Sequence, residues 1–270
     1  MTYGVRLTLA YDGTEFAGFQ RQLETRTVQS VLEHAVAKIA QHPVTVRAAG
    51  RTDAGVHAEA QIVAFDTERL LQPRRWLLAI NRYLPPDAAV QDAVACEPGY
   101  HPRFDALEKT YRYLFHLGLG RDPLLRHRAW HLARAGVRAL PGQLSALDLD
   151  AMQKTSSVLV GTHDFRAFRA ADDQRENSRR TLHRVELIPA WHGRRELLAL
   201  EVQGSAFMKN MVRILAGTLI AVGRGRMTCD EIVGLLSPTA TRSRLSETAP
   251  AHGLTLVQVR LGRLLAASTH

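Results

Sequence analysis

The sequence predicts an α+β fold: two ferredoxin-like βαβ-type halves forming a mainly antiparallel sheet with flanking helices. Three observations predict it. Residues 5–95 run strand, helix, strand, strand, helix, strand, which is the split βαβ plan. A looser version of that order follows from 108 to 261. Strands and helices mix without the strict strand–helix repeat of a parallel sheet.

Each element has a local reason. Val5–Tyr11 alternates apolar and polar residues and ends at Asp12-Gly13, so it reads as a strand. Thr27–Gln41 has apolar residues at 28, 31, 32, 35, 36 and 39, an amphipathic helix with Thr27 as N-cap. Val44–Ala48 and Gln61–Phe65 are short strands on either side of a glycine-rich segment. Pro73–Leu84 is a helix with proline in its first turn, stopped by Pro85-Pro86. Ala89–Ala95 closes the first half as a strand.

In the second half, Glu108–His116 is strand-like and a Gly/Arg/His-rich connector covers about 118–147. Asp148–Val160 is a helix with Gly161 as its cap. Residues 163–180 are rich in Arg, Asp and Gln and read as a mobile loop. Leu182–Ile188 and Glu196–Val202 are strands around a His192-Gly193 turn. Ala206–Val222 is the strongest helix, Asp230–Leu236 a short one, and Leu254–Leu261 a last strand.

Composition narrows the function classes. With 35 Lys plus Arg against 26 Asp plus Glu, the net charge is +9. Lysine stands only at 38, 109, 154 and 209, so the excess is arginine. Arginine grips phosphate bidentately and stacks on bases, which favours a nucleic-acid partner. A genome bias toward Arg over Lys is the competing reading. Cys96 and Cys229 are too few and too far apart for a disulfide framework, which fits a cytoplasmic location. Residues 1–9 lack the pattern of a signal peptide. The longest apolar run, Ile214–Val222, is too short to span a bilayer, so no membrane partner is expected.

Gly50-Arg51-Thr52-Asp53-Ala54-Gly55-Val56-His57-Ala58 carries the chemistry. It sets a lone carboxylate in a glycine-bounded loop between two strands. Arg51, two residues away, is close enough to hold that carboxylate ionised. A lone ionised carboxylate suits a nucleophile or base better than a paired acid–base device. The plainer alternative is a turn-forming Asp beside Gly. His57-Ala58-Glu59 is half of a zinc deaminase signature, but the Pro-Cys-x-x-Cys half is absent. His57 is then expected to be a loop residue, Glu59 to lie at a strand edge, and no metal to be bound.

Other segments have two readings. Tyr111 and Tyr113 share one face of their strand with Lys109, as core aromatics or as a stacking platform for a base. Lys209 and Arg213 sit four apart on the strong helix, and a partly buried Arg213 calls for a carboxylate such as Asp53. Phe16–Gln22 either contacts bases or packs. Gly161–Phe168 is a nucleic-acid edge or a capped turn.

Taken in order, these segments resemble the tRNA pseudouridine synthase I family. The resemblance rests on Tyr11-Asp12-Gly13 with Gly18-Phe19-Gln20, on the Gly50–Ala58 signature, and on Tyr111-Arg112-Tyr113. It continues through Gly161–Phe165, Phe207–Gly217 and Ala249–Leu256. One departure is Phe19, where many relatives carry Trp. The resemblance implies a tRNA pseudouridine synthase acting on uridines 38–40 of the anticodon arm, a homodimer that uses no metal or cofactor. It implies Asp53 as nucleophile and Arg51 steadying the flipped nucleotide. It further implies Tyr111 stacked on the uracil and Arg213 paired with Asp53, with Leu254 or Leu256 lining the base pocket. Residues 1–105 would carry the catalytic Asp loop, and 106–270 would complete the cleft. The alternative is a non-catalytic RNA-binding protein on the same scaffold.

Overall fold

The computed structural model describes residues 1–132, 147–173, 175–240 and 247–262. The chain forms two compact units. Residues Met1–Lys109 and the stretch from Thr255 onward form the first, and Thr110–Leu254 the second.

The first unit opens with β1 (Tyr3–Tyr11), α1 (Val28–Ala40), β2 (Arg47–Ala48), β3 (His57–Thr67), α2 (Pro73–Tyr83) and β4 (Ala88–Cys96). The expected βαββαβ order is present. The Thr27 side chain caps α1 by accepting from the Ser30 backbone N–H, and Ser30 answers in a reciprocal box. The α1 stripe Val28, Leu32, Ala35, Val36 and Ile39 is buried, as its period requires. Pro73 stands in the first turn of α2, which buries Trp76 edge-on to Phe65 of β3 at 5.2 Å between ring centroids. A one-turn α3 (Pro102–Asp105) leads into β5 (Ala106–His116).

After its first residues β5 belongs to the second unit, with β6 (Trp130–His131), α4 (Leu149–Val158), β7 (Gly161–Asp164), β8 (Arg179–Pro189) and β9 (Leu197–Gly204). Next come α5 (Met211–Gly223) and α6 (Cys229–Leu235). Finally β10 (Leu254–Leu261) returns the chain to the first unit. The chain order β5, α4, β8, β9, α5, β10 repeats the βαββαβ plan, the pseudo-duplication expected from the pattern.

The strand order is β4-β1-β3-β10 in the first unit and β5-β9-β8-β7 in the second, with β2 on β3 and β6 on β5. Pairing is mainly antiparallel: β1 with β3 and β4, β2 with β3, and β8 with β7 and β9. The parallel contacts are short, Thr255↔His57 with Leu256↔Ala58, and Phe115↔Trp130 with His116↔His131.

Several local expectations need correction. Helix α5 begins at Met211, not Ala206, because Asn210 adopts left-handed backbone (φ 61°) and starts the helix late. Lys209 therefore precedes the helix and shares no helical face with Arg213. Gly161 opens β7 with φ 115° instead of capping α4, whose C-cap is Leu159. Residues 163–180 are not one loop: they hold the end of β7, a 3-10 turn at Arg166–Phe168 and the start of β8. Gln174 within that stretch, and 133–146 of the expected connector, lie outside the described residues. The expected Val44–Ala48 strand shrinks to Arg47–Ala48, and β3 starts four residues earlier than the alternation signalled.

Candidate active site

The loop from Ala49 to Val56 links β2 to β3. Its signature sequence folds into a tight turn in which the Val56 N–H donates to the Asp53 carbonyl at 3.2 Å. Gly55 takes φ 78°, a left-handed position that a side chain would strain. Asp53 stands at the head of this turn and is half-buried, while Arg51 is exposed.

Neighbouring segments fix the turn from several sides. The Phe19 N–H donates to the Thr52 carbonyl at 3.0 Å, and the Gly55 N–H to the Phe16 carbonyl at 3.3 Å. Gly18, at φ 94°, lies so close that a Cβ there would sit 3.0 Å from the Thr52 carbonyl oxygen. On the other side, a Cβ on Gly13 would sit 2.0 Å from the Val56 carbonyl oxygen. That is backbone against backbone, so only glycine fits.

Buried polar side chains support the turn from below. The Tyr11 hydroxyl shares a hydrogen bond with Thr52 Oγ1 at 2.8 Å, and burial pushes its pKa up to about 12. Gln61, fully buried, donates from Nε2 to the Gly50 carbonyl at 3.0 Å. Lys109 Nζ donates to the Ala49 carbonyl at 2.8 Å. Desolvation, with Arg103 as a second cause, lowers the Lys109 ammonium from 10.5 to about 8. A Cβ on Gly50 would meet that Nζ at 2.7 Å, so the first glycine of the signature makes room for the lysine.

His57 is not the loop residue expected. It is the first residue of β3 and only 1% exposed. Its Nδ1 lies 3.0 Å from the Gly13 backbone nitrogen and 3.1 Å from Asp12 Oδ1. Among the described residues no group of three or more His, Cys, Asp or Glu is placed to hold a metal ion. Cys96 and Cys229 are free.

The remaining predicted site residues lie in the second unit, where the two tyrosines of β5 diverge. Tyr113 is fully buried, and its hydroxyl donates to the Pro250 carbonyl at 2.8 Å. A Cβ on Gly253 would sit 2.5 Å from its ring, so the Tyr113 ring depends on that glycine. Tyr113 is therefore core. Tyr111 is 8% exposed and meets Phe207 edge-on at 5.0 Å. Arg213, in the first turn of α5, is half-buried. Its Nε donates to the Ala249 carbonyl at 2.8 Å and one Nη to Asn210 Oδ1 at 2.9 Å. A Cβ on Gly217 one turn on would reach the Glu247 carbonyl at 2.1 Å, so α5 runs directly against the 247–249 segment. These contacts fix the guanidinium's direction.

Phe16 and Phe19 are buried and pack, with Arg26 covering the Phe16 ring at 4.0 Å, whereas Gln20, Arg21 and Gln22 are exposed. Phe165 and Phe168 are likewise fully buried core. Sequence reasoning did not assign Tyr11, Gln61, Lys109 or His57 a role in supporting the Asp53 turn. Their contacts join segments about ten to sixty residues apart, which local pattern does not report.

The Asp53 turn thus holds an anchored, half-buried carboxylate on a split βαβ scaffold. The chain belongs to the tRNA pseudouridine synthase family, whose pattern matches residues 8–105 and 156–261. It is 40% identical over 257 residues to the tRNA pseudouridine synthase A of Geobacter sulfurreducens, covering 95% of this chain and 98% of the relative. The Shouchella clausii protein of that name is 42% identical over 258 residues, covering 95% and 93%. That of Chloroflexus aurantiacus is 40% identical over 256 residues, covering 95% and 88%.

Proposed function

We propose that this chain isomerises uridine to pseudouridine at positions 38–40 in the anticodon arm of tRNAs, with Asp53 as nucleophile on a flipped-out uridine. Family membership supports the reaction class. The observation that carries the role of Asp53 is its setting: a half-buried carboxylate on a turn pinned at Ala49, Gly50, Thr52 and Gly55. Pre-organisation of that kind is what a nucleophile needs, because reacting atoms must be held near bonding distance.

The carboxylate attacks C1′ of the ribose or adds to C6 of the ring. Either way the N1–C1′ bond breaks, the uracil turns, and a C5–C1′ bond forms. The C5 proton leaves and N1 gains one, so atoms and electrons balance within the substrate. Extruding the base costs about a few kcal/mol, offset by contacts to the RNA backbone. Arg51 is suited to steady the displaced nucleotide, because it is exposed. Tyr111 takes the stacking role and Arg213 the role of counter-ion to Asp53; both assignments rest on the resemblance. A homodimer working in the cytoplasm without metal or cofactor completes the proposal.

The test incubates tRNA with wild type and Asp53→Asn and maps pseudouridine chemically. Wild type is expected to convert positions 38–40 and the variant to yield no product while still binding tRNA. An active Asn variant removes Asp53 from catalysis. A wild type that binds tRNA without product leaves only an RNA-binding scaffold.

A further inference from the structure

His57 belongs to the signature but has no part in the chemistry above. Its surroundings give it one. The Gly13 N–H is buried and needs an acceptor. His57 Nδ1 lies 3.0 Å away in bonding geometry. The same nitrogen lies 3.1 Å from Asp12 Oδ1. One nitrogen cannot accept from Gly13 and donate to Asp12 at once. Asp12 Oδ1 already accepts from the Thr14 N–H at 3.1 Å and the Thr14 hydroxyl at 2.6 Å. The bond to Gly13 is therefore the one we assign, with the imidazole proton on Nε2.

From Gly13 the linkage runs to the nucleophile in two steps. The Gly13 Cα presses on the Val56 carbonyl, leaving no room for a Cβ. The Val56 N–H in turn closes the turn on the Asp53 carbonyl. We propose that His57 is a positioning residue: its Nδ1 latches the Asp12–Gly13 turn against the back of the Asp53 turn and so sets where the carboxylate points. This rests on the reading of Asp53 as nucleophile.

Two replacements separate the latch from simple filling of the site. In His57→Asn the amide oxygen reaches roughly the place of Nδ1 and can accept from Gly13. In His57→Gln it reaches toward Nε2 and cannot. A small misplacement of a reacting group costs about ten- to a hundredfold in rate. The Gln variant is expected to lose that much in kcat, with KM for tRNA and melting temperature close to those of the Asn variant. His57→Asn is expected to keep most of the rate. Equal kcat for the two variants, whether high or low, overturns the latch.

A second measurement needs no variant. Nitrogen NMR of the wild-type imidazole above neutral pH should show Nδ1 unprotonated; a proton there overturns the assignment. Asp53→Asn is assayed in parallel. If it is active, the nucleophile reading falls. If it is inactive while His57→Gln keeps wild-type kcat, only the latch falls.

Discussion

The Asp53 turn in the first unit and the Asp164–Ser178 stretch in the second are both irregular segments pinned to a sheet, by opposite means. The Asp53 turn is held largely by neutral groups: the Tyr11 hydroxyl, the Gln61 amide and the backbone N–H groups of Phe19 and Gly55. The other stretch is held by buried carboxylates clamped by arginine. Asp164 accepts from Ser178 Oγ at 2.6 Å and from Arg166 Nη2 at 2.9 Å. Asp173, with its side chain 4% exposed, takes the Arg175 guanidinium and the Lys209 backbone N–H. A carboxylate clamped in this way is committed to structure. A nucleophile of the kind proposed for Asp53 must be aimed at its substrate, and the neutral groups that fix the turn's backbone are suited to that task.

The largest expected effect comes from breaking the charged clamp. Asp173→Ala removes the partner of the half-exposed Arg175 guanidinium and of the Lys209 N–H, and should cost about 2–3 kcal/mol in urea unfolding at neutral pH. A loss below about 1 kcal/mol would mean the charges do not hold this segment. The same clamp predicts a pH signature. The bond from Arg175 is the first cause that holds Asp173 well below its ordinary 3.8, outweighing desolvation. The folded pKa is thus depressed, so below about pH 4 the unfolded chain binds more protons than the folded one. The clamp's stabilisation is present above the ordinary pKa and is lost as pH falls toward the depressed one. Wild type should weaken with acid in that window more steeply than Asp173→Asn. Asp164 contributes in the same direction. Burial, the largest single influence, raises its pKa, but the bonds from Arg166 and Ser178 together more than reverse that.

A smaller effect is expected under the Asp53 turn. Tyr11→Phe removes a buried hydroxyl and takes its partner from Thr52 Oγ1, a cost of about 1–2 kcal/mol. The contrast lies in the activity. Tyr11→Phe should lower kcat by more than its stability loss explains, whereas Asp173→Asn should not. Matched kcat for the two variants at a temperature where both are folded would erase the proposed distinction between aiming and clamping.

How much of this was legible in the sequence differs between the two regions for physical reasons. Thr27 as a cap, Pro73 in a first turn and the clean alternation of Leu254–Leu261 are local signals, and each lies where the pattern put it. The Asp53 loop was legible too, because glycine with an embedded carboxylate is local chemistry. Asn210 was not: left-handed backbone at an asparagine cut five residues from a helix whose apolar run looked continuous. The mobile-loop reading of 163–180 overlooked that each buried Asp there lies two residues before the Arg that clamps it. The support under Asp53 could not be read at all. Tyr11, Gln61 and Lys109 look like ordinary strand residues until β1, β3 and β5 bring them beneath one loop.

Lys109 is the exception among the neutral supports, and it gives the smallest and sharpest test. It is a cation beneath the signature loop, with burial first and Arg103 second lowering it from 10.5 to about 8. Here the sign is opposite to that of the clamp. Between pH 8 and 10.5 the folded protein has released the Lys109 proton while the unfolded chain still holds it, so folding stability should rise with pH across that window. Lys109→Met should flatten that rise and leave the acid limb untouched. If the wild-type profile is already flat from pH 8 to 10.5, Lys109 keeps its full charge under the loop, and the support beneath Asp53 is electrostatic after all.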